Sequence, residues 1–452
     1  MPQFEALFTR WPPGISDGRN HPMYDDNRIC ILGLGYVGLT LAAVMSDCGM
    51  SVVGIDTNDK ILESVQNGQA HFFEHGLNRL IATGLRHGRL RFYSKIPDEE
   101  IDVYIVTVGT PLDDRRLPRM DMLESVSKDI AGSMRPGALV VVRSTVRLGA
   151  TENLVRPILD GAGHRYDLAM CPERTVEGRA LTELYDLPQI VGGITPRATA
   201  RASELFRRIT PTIIAVSNVR TAEIIKMLDN CCRDLFFAFG NEVALLCEAI
   251  GISGREVISA ANTGYERTNI ARPGFVGGPC LEKDPHILMD SVAEYGFDPK
   301  LLRGARELNE GLVDHAFEFV CARLPKVPQL TIALLGLAFK GTPDTDDLRG
   351  STGVAMARKF RSRFPQARLL GQDFLVRGEE LHRLGMEPVG QEMAFREADA
   401  ILIMNNHPGY RLLDYERLAQ QMRRPGHIYD AWWAVPRNAK LPEGVTLHAL
   451  GQ

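Results

Sequence analysis

The chain reads as an α/β protein: two doubly wound parallel-sheet domains joined by a long central helix in an all-helical linker. Three observations predict this. Short apolar runs alternate with helical stretches over residues 28–215, the alternation gives way to an uninterrupted helical period over 218–252, and it resumes from residue 329. At 452 residues the chain is too long for one ordinary core, and 44% hydrophobic with 24% charged residues is a globular composition. The implied boundaries are a polar extension over 1–27, a first sheet domain over 28–215, a helical middle over 216–324 and a second sheet domain over 325–452.

Taken in order, the N-terminal stretch lacks a basic start followed by an apolar run, so it reads as a Pro/Gly-containing extension. Arg28 to Leu32 is an apolar strand, Gly33, Gly35 and Gly38 make a turn, Tyr36 to Cys48 is a helix ended by Gly49, and "SVVGID" is a second strand. This is G-x-G-x-x-G in the strand-turn-helix-strand-acid context of a Rossmann-like dinucleotide site. The first glycine permits the turn, the second lets backbone approach a pyrophosphate, and the third allows close helix packing. The helix N-terminus receives the phosphate charge. Asp56 ends the second strand, where a carboxylate accepts from both adenosine ribose hydroxyls and repels a 2′-phosphate, so the cofactor expected is NAD.

Two β-branched runs, 102–111 and 137–146, end in hydroxyl-bearing residues. Thr110 and Thr145 therefore fall at the carboxyl ends of strands, where an open parallel sheet contacts its ligand; each also suits a helix cap or turn. "YDLAMCPERTVEG" places Glu173 and Glu177 four residues apart, near enough to share a site, a spacing that a solvated face also shows. From 218 to 252 the period is helical, with Ala222, Ile225, Leu228, Leu235, Phe239, Val243 and Leu246 along one apolar face. Lys226 and Asn230 lie one turn apart on it. Strands recur at 329–341, 367–373, 398–406 and 426–433, without a second G-x-G-x-x-G; "FKGTPDTDDLRGS" is a candidate anion or nucleotide loop.

"VGGPCLEKDPHIL" (276–288) sets Cys280 behind glycines and a proline and before Lys283 and Asp284. A structural cysteine would have apolar neighbours. Composition bounds the rest. A net charge of −4 without basic runs gives no reason to expect nucleic-acid or anionic-membrane binding. Eight cysteines without paired metal-ligand spacing fit a reducing, cytoplasmic setting and no metal site. No apolar stretch reaches the roughly 20 residues that span a bilayer.

In this order, "GLGYVGL", "VGTP", "STV", "CPERTVEG", "AEIIKMLDN", "VGGPCLEKD" and "GLAFKGTPDTDDLRGS" resemble the UDP-glucose/GDP-mannose dehydrogenase family, over about residues 28–440. The resemblance implies oxidation of a nucleotide sugar's C6 alcohol to the carboxylate, with two NAD+ reduced and one water consumed, for surface polysaccharide precursors. It also implies a dimerising helical linker, giving a homodimer or higher homo-oligomer, and a UDP-binding C-terminal domain. An oxidation that passes the aldehyde stage needs a nucleophile, and Cys280 would form a thiohemiacetal and then a thioester. Nearby cations such as Lys226 would favour the thiolate.

By the same resemblance, Lys226 and Asn230 meet the developing oxyanion and the substrate. Asp284 assists proton transfer through a water held partly by Thr145. Glu173 lies near the hydrolytic chemistry and the substrate. Gly33, Gly35, Tyr36, Val37, Gly38, Asp56, Thr110, Thr145, Glu177, Lys283 and Arg349 fall at cofactor positions. Arg272, Phe275, Gly277, Gly278 and Lys340 fall at substrate positions, the two glycines admitting substrate and backbone without Cβ clashes. Arg267 and Arg272 suit either the sugar diphosphate or a turn held by arginines.

"CPERTVEGRALTELYDLPQIVGG" and "RPGFVGG" look like the branch acting on UDP-N-acetylhexosamines, with UDP-N-acetylmannosamine or UDP-N-acetylglucosamine first, whereas "CLEKDP" keeps the lysine of the UDP-glucose and GDP-mannose branches. Two other classes are compared. A single-hydride β-hydroxyacid dehydrogenase would share the dinucleotide domain and the Lys/Asn pair, yet needs neither Cys280 nor a second sheet domain. A nucleotide-sugar sensor would bind ligand and release no NADH. NADH per substrate separates them.

Overall fold

Parallel strands buried on both faces carry near-continuous apolar sequence, and that is how the first sheet is written. In the computed structural model, which describes residues 27–452, β1 (Arg28–Leu32), β2 (Ser51–Ile55), β3 (Leu90–Tyr93), β4 (Val103–Val106), β5 (Leu139–Val142), β6 (Asp167–Met170), β7 (Gln189–Gly193) and β8 (Ile213–Ala215) form one eight-stranded sheet in the order β3-β2-β1-β4-β5-β6-β7-β8. Pairing is parallel except between β6 and β7, which run antiparallel. The expected extension over 1–27 lies outside the described residues but for Asn27.

The second sheet has six strands: β9 (Thr331–Leu335), β10 (Arg368–Gln372), β11 (Glu387–Pro388), β12 (Ala400–Ile403), β13 (Gly426–Asp430) and β14 (Val445–Ala449), ordered β11-β10-β9-β12-β13-β14 and parallel throughout. The order reverses beside β1 in one sheet and beside β9 in the other, and such a switch point is where an open α/β sheet places its ligand. Each sheet has its own core, around Leu32, Val106, Val140 and Met170 in the first and Leu334, Leu402, Phe360 and Tyr429 in the second.

The second sheet repeats a device of the first without its glycine motif. Gly33 follows β1 at φ +99 and Gly336 follows β9 at φ +92. The next amide, Leu34 or Leu337, donates to the acid that ends the neighbouring strand: Asp56 Oδ2 at 2.8 Å, Asp373 Oδ2 at 2.7 Å. The sequence resemblance between the domains is weak because only these two positions are needed to make the turn.

Compactness divides the chain into two units. One comprises His75–Asp113, Pro118–Lys226 and the chain up to His71; the other comprises Phe72–Glu74, Asp114–Leu117 and Met227–Gln452, and so holds most of the helical middle. A 32-residue helix, Val219–Ile250, about 48 Å long, runs from the first into the second. Its expected apolar face is corrected. Ala222, Met227, Cys231, Ala238, Ala244 and Cys247 are buried, whereas Leu228, Phe239 and Leu246 are 46, 56 and 56% exposed. Lys226, Asn230, Asp234 and Asn241 are buried instead. This helix therefore buries polar side chains among small apolar ones and leaves several large apolar side chains exposed, unlike an ordinary surface helix.

Candidate active site

In the first unit the glycine loop is shaped as a phosphate cradle. A Cβ at Gly38 would strike the Gly33 carbonyl, and Thr107 Oγ1 donates to that carbonyl at 2.7 Å, so the turn is locked. A Cβ at Gly35 would meet nothing within 4 Å, leaving open space in front of the helix Tyr36–Asp47. Asp56 ends β2 with each oxygen oriented by one backbone amide, from Leu34 at 2.8 Å and Asn58 at 2.9 Å. These residues fit a dinucleotide: amides at a helix N-terminus for the pyrophosphate and a fixed carboxylate for the ribose. Tyr36 turns its hydroxyl toward a neighbouring loop, accepting from Gly178 N at 2.9 Å beside Glu177. Thr110 Oγ1 donates to the Thr145 carbonyl at 2.7 Å, which joins the loops after β4 and β5.

Glu173 is buried after β6 and both its oxygens are committed. One accepts from the amides of Arg174 and Thr175 at 2.6 and 2.7 Å, the other from Arg143 at 2.5 and 3.1 Å. Burial alone would raise its pKa, but Arg143, the Thr175 amide and Lys226 hold it below the ordinary carboxylate value. Arg143 was missed from the sequence. It lies under the sheet beside Phe206 and also donates to the Cys171 carbonyl and Gln189. The signal available was a lone cation in the β-branched run "VVVRST", which can be buried only with a partner.

In the second unit Cys280 stands exposed in the turn before helix Asp284–Ala293; its carbonyl accepts from the Lys283 and Asp284 amides at 3.2 and 2.9 Å. Asp284 is fully buried and bridges two predicted residues, accepting from Asn230 Nδ2 at 2.6 Å and Lys283 Nζ at 2.6 Å. Burial opposes the charge on Lys283, yet Asp284 and Cys280 raise its pKa above the ordinary lysine value, against Arg349. The Lys283 ammonium therefore lies close enough to Cys280 for the two groups to interact. By contrast burial pushes the thiols of Cys30, Cys171 and Cys231 up to about 12.

The close approach of backbone expected at the two glycines before the thiol is present. Gly277 and Gly278 are buried, and what approaches them is protein. A Cβ at Gly277 would collide with the Gly350 carbonyl and one at Gly278, at φ +100, with the Phe339 ring. Gly278 N also donates to Gly350 O at 2.8 Å. Phe275, expected at the substrate, is a core residue stacked on Tyr429. Lys340 lies 5.2 Å from the Phe339 ring centre, and Arg349 grips Asp347 through Nε and Nη2.

Arg267 lies over the Tyr265 ring, a local turn contact. Arg272 lies 5.6 Å from the Trp433 ring and 3.5 Å from the Trp432 carbonyl. Arg255 covers the same indole at 5.9 Å. Burial, then Arg411 and Arg255, lower the pKa of Arg272; burial, then Arg437, lower that of Arg255. The nearby Asp430 spends its oxygens on the Trp432 and Val435 amides. Repelling guanidinium groups with so little countercharge form a cluster suited to an anion. The sequence hides it, because its members come from four separate segments.

Comparison with known proteins follows this geometry. Residues 27–210 match the NAD binding domain of the UDP-glucose/GDP-mannose dehydrogenase family, 220–311 its central domain and 333–437 its UDP binding domain. A UDP-N-acetyl-D-mannosamine dehydrogenase of Pyrococcus horikoshii is 34% identical over 408 residues, covering 88% of this chain and 93% of the relative. An NDP-N-acetyl-D-galactosaminuronic acid dehydrogenase of Ralstonia nicotianae is 32% identical, covering 88% and 95%. Among solved structures, the UDP-D-ManNAc dehydrogenase of Pyrococcus horikoshii superposes with a TM-score of 0.84 at 32% identity, covering 94% of this chain and 99% of that one. A UDP-glucose dehydrogenase of Pyrobaculum islandicum gives 0.82 at 26% identity, covering 96% and 98%.

Proposed function

Because the chain belongs to the UDP-glucose/GDP-mannose dehydrogenase family, we propose that the nucleotide sugar it oxidises is a UDP-N-acetylhexosamine, taken from C6 alcohol to carboxylate through Cys280. The observation that carries the mechanism is the contrast among thiols: Cys280 is exposed at a helix N-terminus beside a charged lysine, while Cys30, Cys171 and Cys231 are buried and held protonated.

NAD, when bound, supplies the hydride acceptor for each of the two oxidations. The chain's own residues do the rest. Lys226 and Asn230, one helical turn apart, donate to the oxygen at C6 as it gains negative charge; such donors contribute roughly 3–4 kcal/mol each in other enzymes. Cys280 sulfur bonds to the C6 carbon of the aldehyde, giving a thiohemiacetal; loss of hydride from that carbon leaves a thioester. Water then adds to the thioester carbon, the carbon–sulfur bond breaks and the thiolate leaves. Asp284 carries protons at this centre, its orientation set by Asn230 and Lys283. Glu173 stays ionised, its oxygens held by Arg143 and the Arg174 and Thr175 amides.

Arg255, Arg272, Arg411 and Arg437 supply the charge that a diphosphate needs, together with Lys340. The N-acetylhexosamine assignment rests on the stretches 171–193 and 272–278 and on the names of the Pyrococcus and Ralstonia relatives. The exposed apolar line of the long helix, Leu228, Phe239, Leu246 and Ile250, supports a homodimer. No helix among the described residues is long and apolar enough to cross a membrane; reduced thiols and NAD use support a cytoplasmic location.

The test is a panel of nucleotide sugars with NAD+, reading absorbance and NADH per sugar. UDP-N-acetylmannosamine or UDP-N-acetylglucosamine should give two; preferred turnover of UDP-glucose or GDP-mannose would move the substrate, and one NADH would remove the thioester. Cys280→Ser should stall after the first oxidation or trap an ester, and full turnover by it would refute the role of sulfur.

A further inference from the structure

The segment bearing Cys280 is tethered at both ends by one continuous chain of buried polar side chains. At its start the Gly274 amide donates to Asn241 Oδ1 at 2.8 Å; at its end the carbonyl of Leu281, the residue after the thiol, accepts from Arg306 Nη1 at 2.6 Å. Between them Asn241 Nδ2 donates to Asn309 Oδ1 at 2.9 Å, Asn309 Nδ2 donates to Asp234 Oδ1 at 2.8 Å, and Arg306 Nη1 lies 3.0 Å from Asp234 Oδ1. Asn241 and Asn309 are 0% exposed, Asp234 1% and Arg306 2%. Asp234 and Asn241 stand on the long helix beyond Lys226 and Asn230, while Arg306 and Asn309 stand on helix Lys300–Cys321.

Stability alone does not explain this chain. Well-packed apolar side chains of the same volume are often as stable as a buried ion pair or better, whereas a satisfied polar network fixes one geometry. Arg306 even leaves Nε and Nη2 without a hydrogen-bond partner among the described residues, although Glu310 lies 3.5 Å from Nε. Its place is set by reaching Leu281 and Asp234 at once, not by saturating its own donors.

We propose that Arg306 and Asn241 are positioning residues for Cys280, fixing the loop so that the sulfur meets the reacting carbon. The inference rests on the nucleophile assigned above. Both residues are buried and reach the loop through its backbone. Abstraction of the first hydride needs no sulfur and the second does, so slackening the tether acts on the second oxidation.

The test uses Arg306→Lys, which keeps a positive charge for Asp234 but ends one atom short of the Nη1 that meets both acceptors, and Asn241→Ser at the opposite end. In each, NADH per UDP-N-acetylhexosamine is counted with an aldehyde trap present, and the rate of Cys280 alkylation by iodoacetamide is followed against pH. The expected result is kcat for full oxidation lowered about 10- to 100-fold, KM for the sugar held within about twofold, and NADH falling from two toward one per sugar with aldehyde trapped. Alkylation should change in rate and pH profile in both variants. Folded variants that keep two NADH per sugar and wild-type alkylation overturn the proposal, as does equal loss of both oxidations. Should Arg306→Lys not fold, Asn241→Ser decides alone, since it leaves the Asp234–Arg306 pair intact. Should the wild type yield no NADH from any nucleotide sugar, the functional reading fails by itself and alkylation alone decides the tether: altered in the variants it stands, unaltered it falls.

Discussion

Gly278 combines two constraints that a side chain cannot meet: a backbone at φ +100 and the Phe339 ring where a Cβ would stand. Gly278→Ala should cost about 1–3 kcal/mol in denaturant unfolding and lower turnover, because relief requires moving the thiol's loop. An unchanged midpoint would mean that the ring yields freely. The need for glycine and the approach of backbone were legible; the Phe339 ring was not, because it comes from a distant segment. His427 is a second residue invisible in sequence. It is buried, with Nδ1 2.7 Å from Thr446 Oγ1, and burial, then Arg323 and His448, push its pKa down to about 4 from an ordinary value of 6.5. The unfolded chain thus takes up this proton at the higher pH. Its contribution is complete above pH 6.5, declines as pH falls toward 4 and totals on the order of 3 kcal/mol. Thermal unfolding from pH 7 to 5 should show the decline, and His427→Gln should flatten it.

Among elements, the loop after β6 shows how a carboxylate is kept ionised out of water. Arg143, after β5, supplies the charge, and the Arg174 and Thr175 amides supply the remaining donors. Removing one partner strands the other. Arg143→Met should destabilise by about 3–5 kcal/mol, while Arg143→Met with Glu173→Gln should recover most of that loss by calorimetry. A double variant no better than the single would make the pair incidental. Glu173 and Glu177 stood out by spacing, but which was buried could not be read, because a strand's carboxyl end leads equally to core or solvent. The long helix was legible in position and length. Its faces were misassigned, because periodicity records where apolar residues recur and not which neighbour covers them.

Across the whole molecule, the exposed apolar line on that helix is where the proposed homodimer is tested. If Leu228, Phe239 and Leu246 are covered by a second copy, Leu246→Asp should shift sedimentation toward the monomer by burying a charge at the contact, with the fold intact by circular dichroism. A wild type that sediments as a monomer would dispose of the dimer. What the sequence determined alone was everything carried by local pattern. Strand periodicity gave both sheets, three glycines and Asp56 gave the dinucleotide turn, and polar, glycine-rich neighbours marked Cys280 as a candidate nucleophile once the family resemblance was drawn. Each is written within a few adjacent residues, where backbone sterics and side-chain polarity act without reference to the rest of the chain. What only the tertiary structure decided were the partners: Arg143 with Glu173, Arg255 and Arg272 over Trp433 with Arg411 and Arg437 near enough to repel them, and Arg306 with Asn241 holding the thiol's loop. Those groups are distant in sequence, and burial and charge pairing depend on distances in space, which only the packed chain sets.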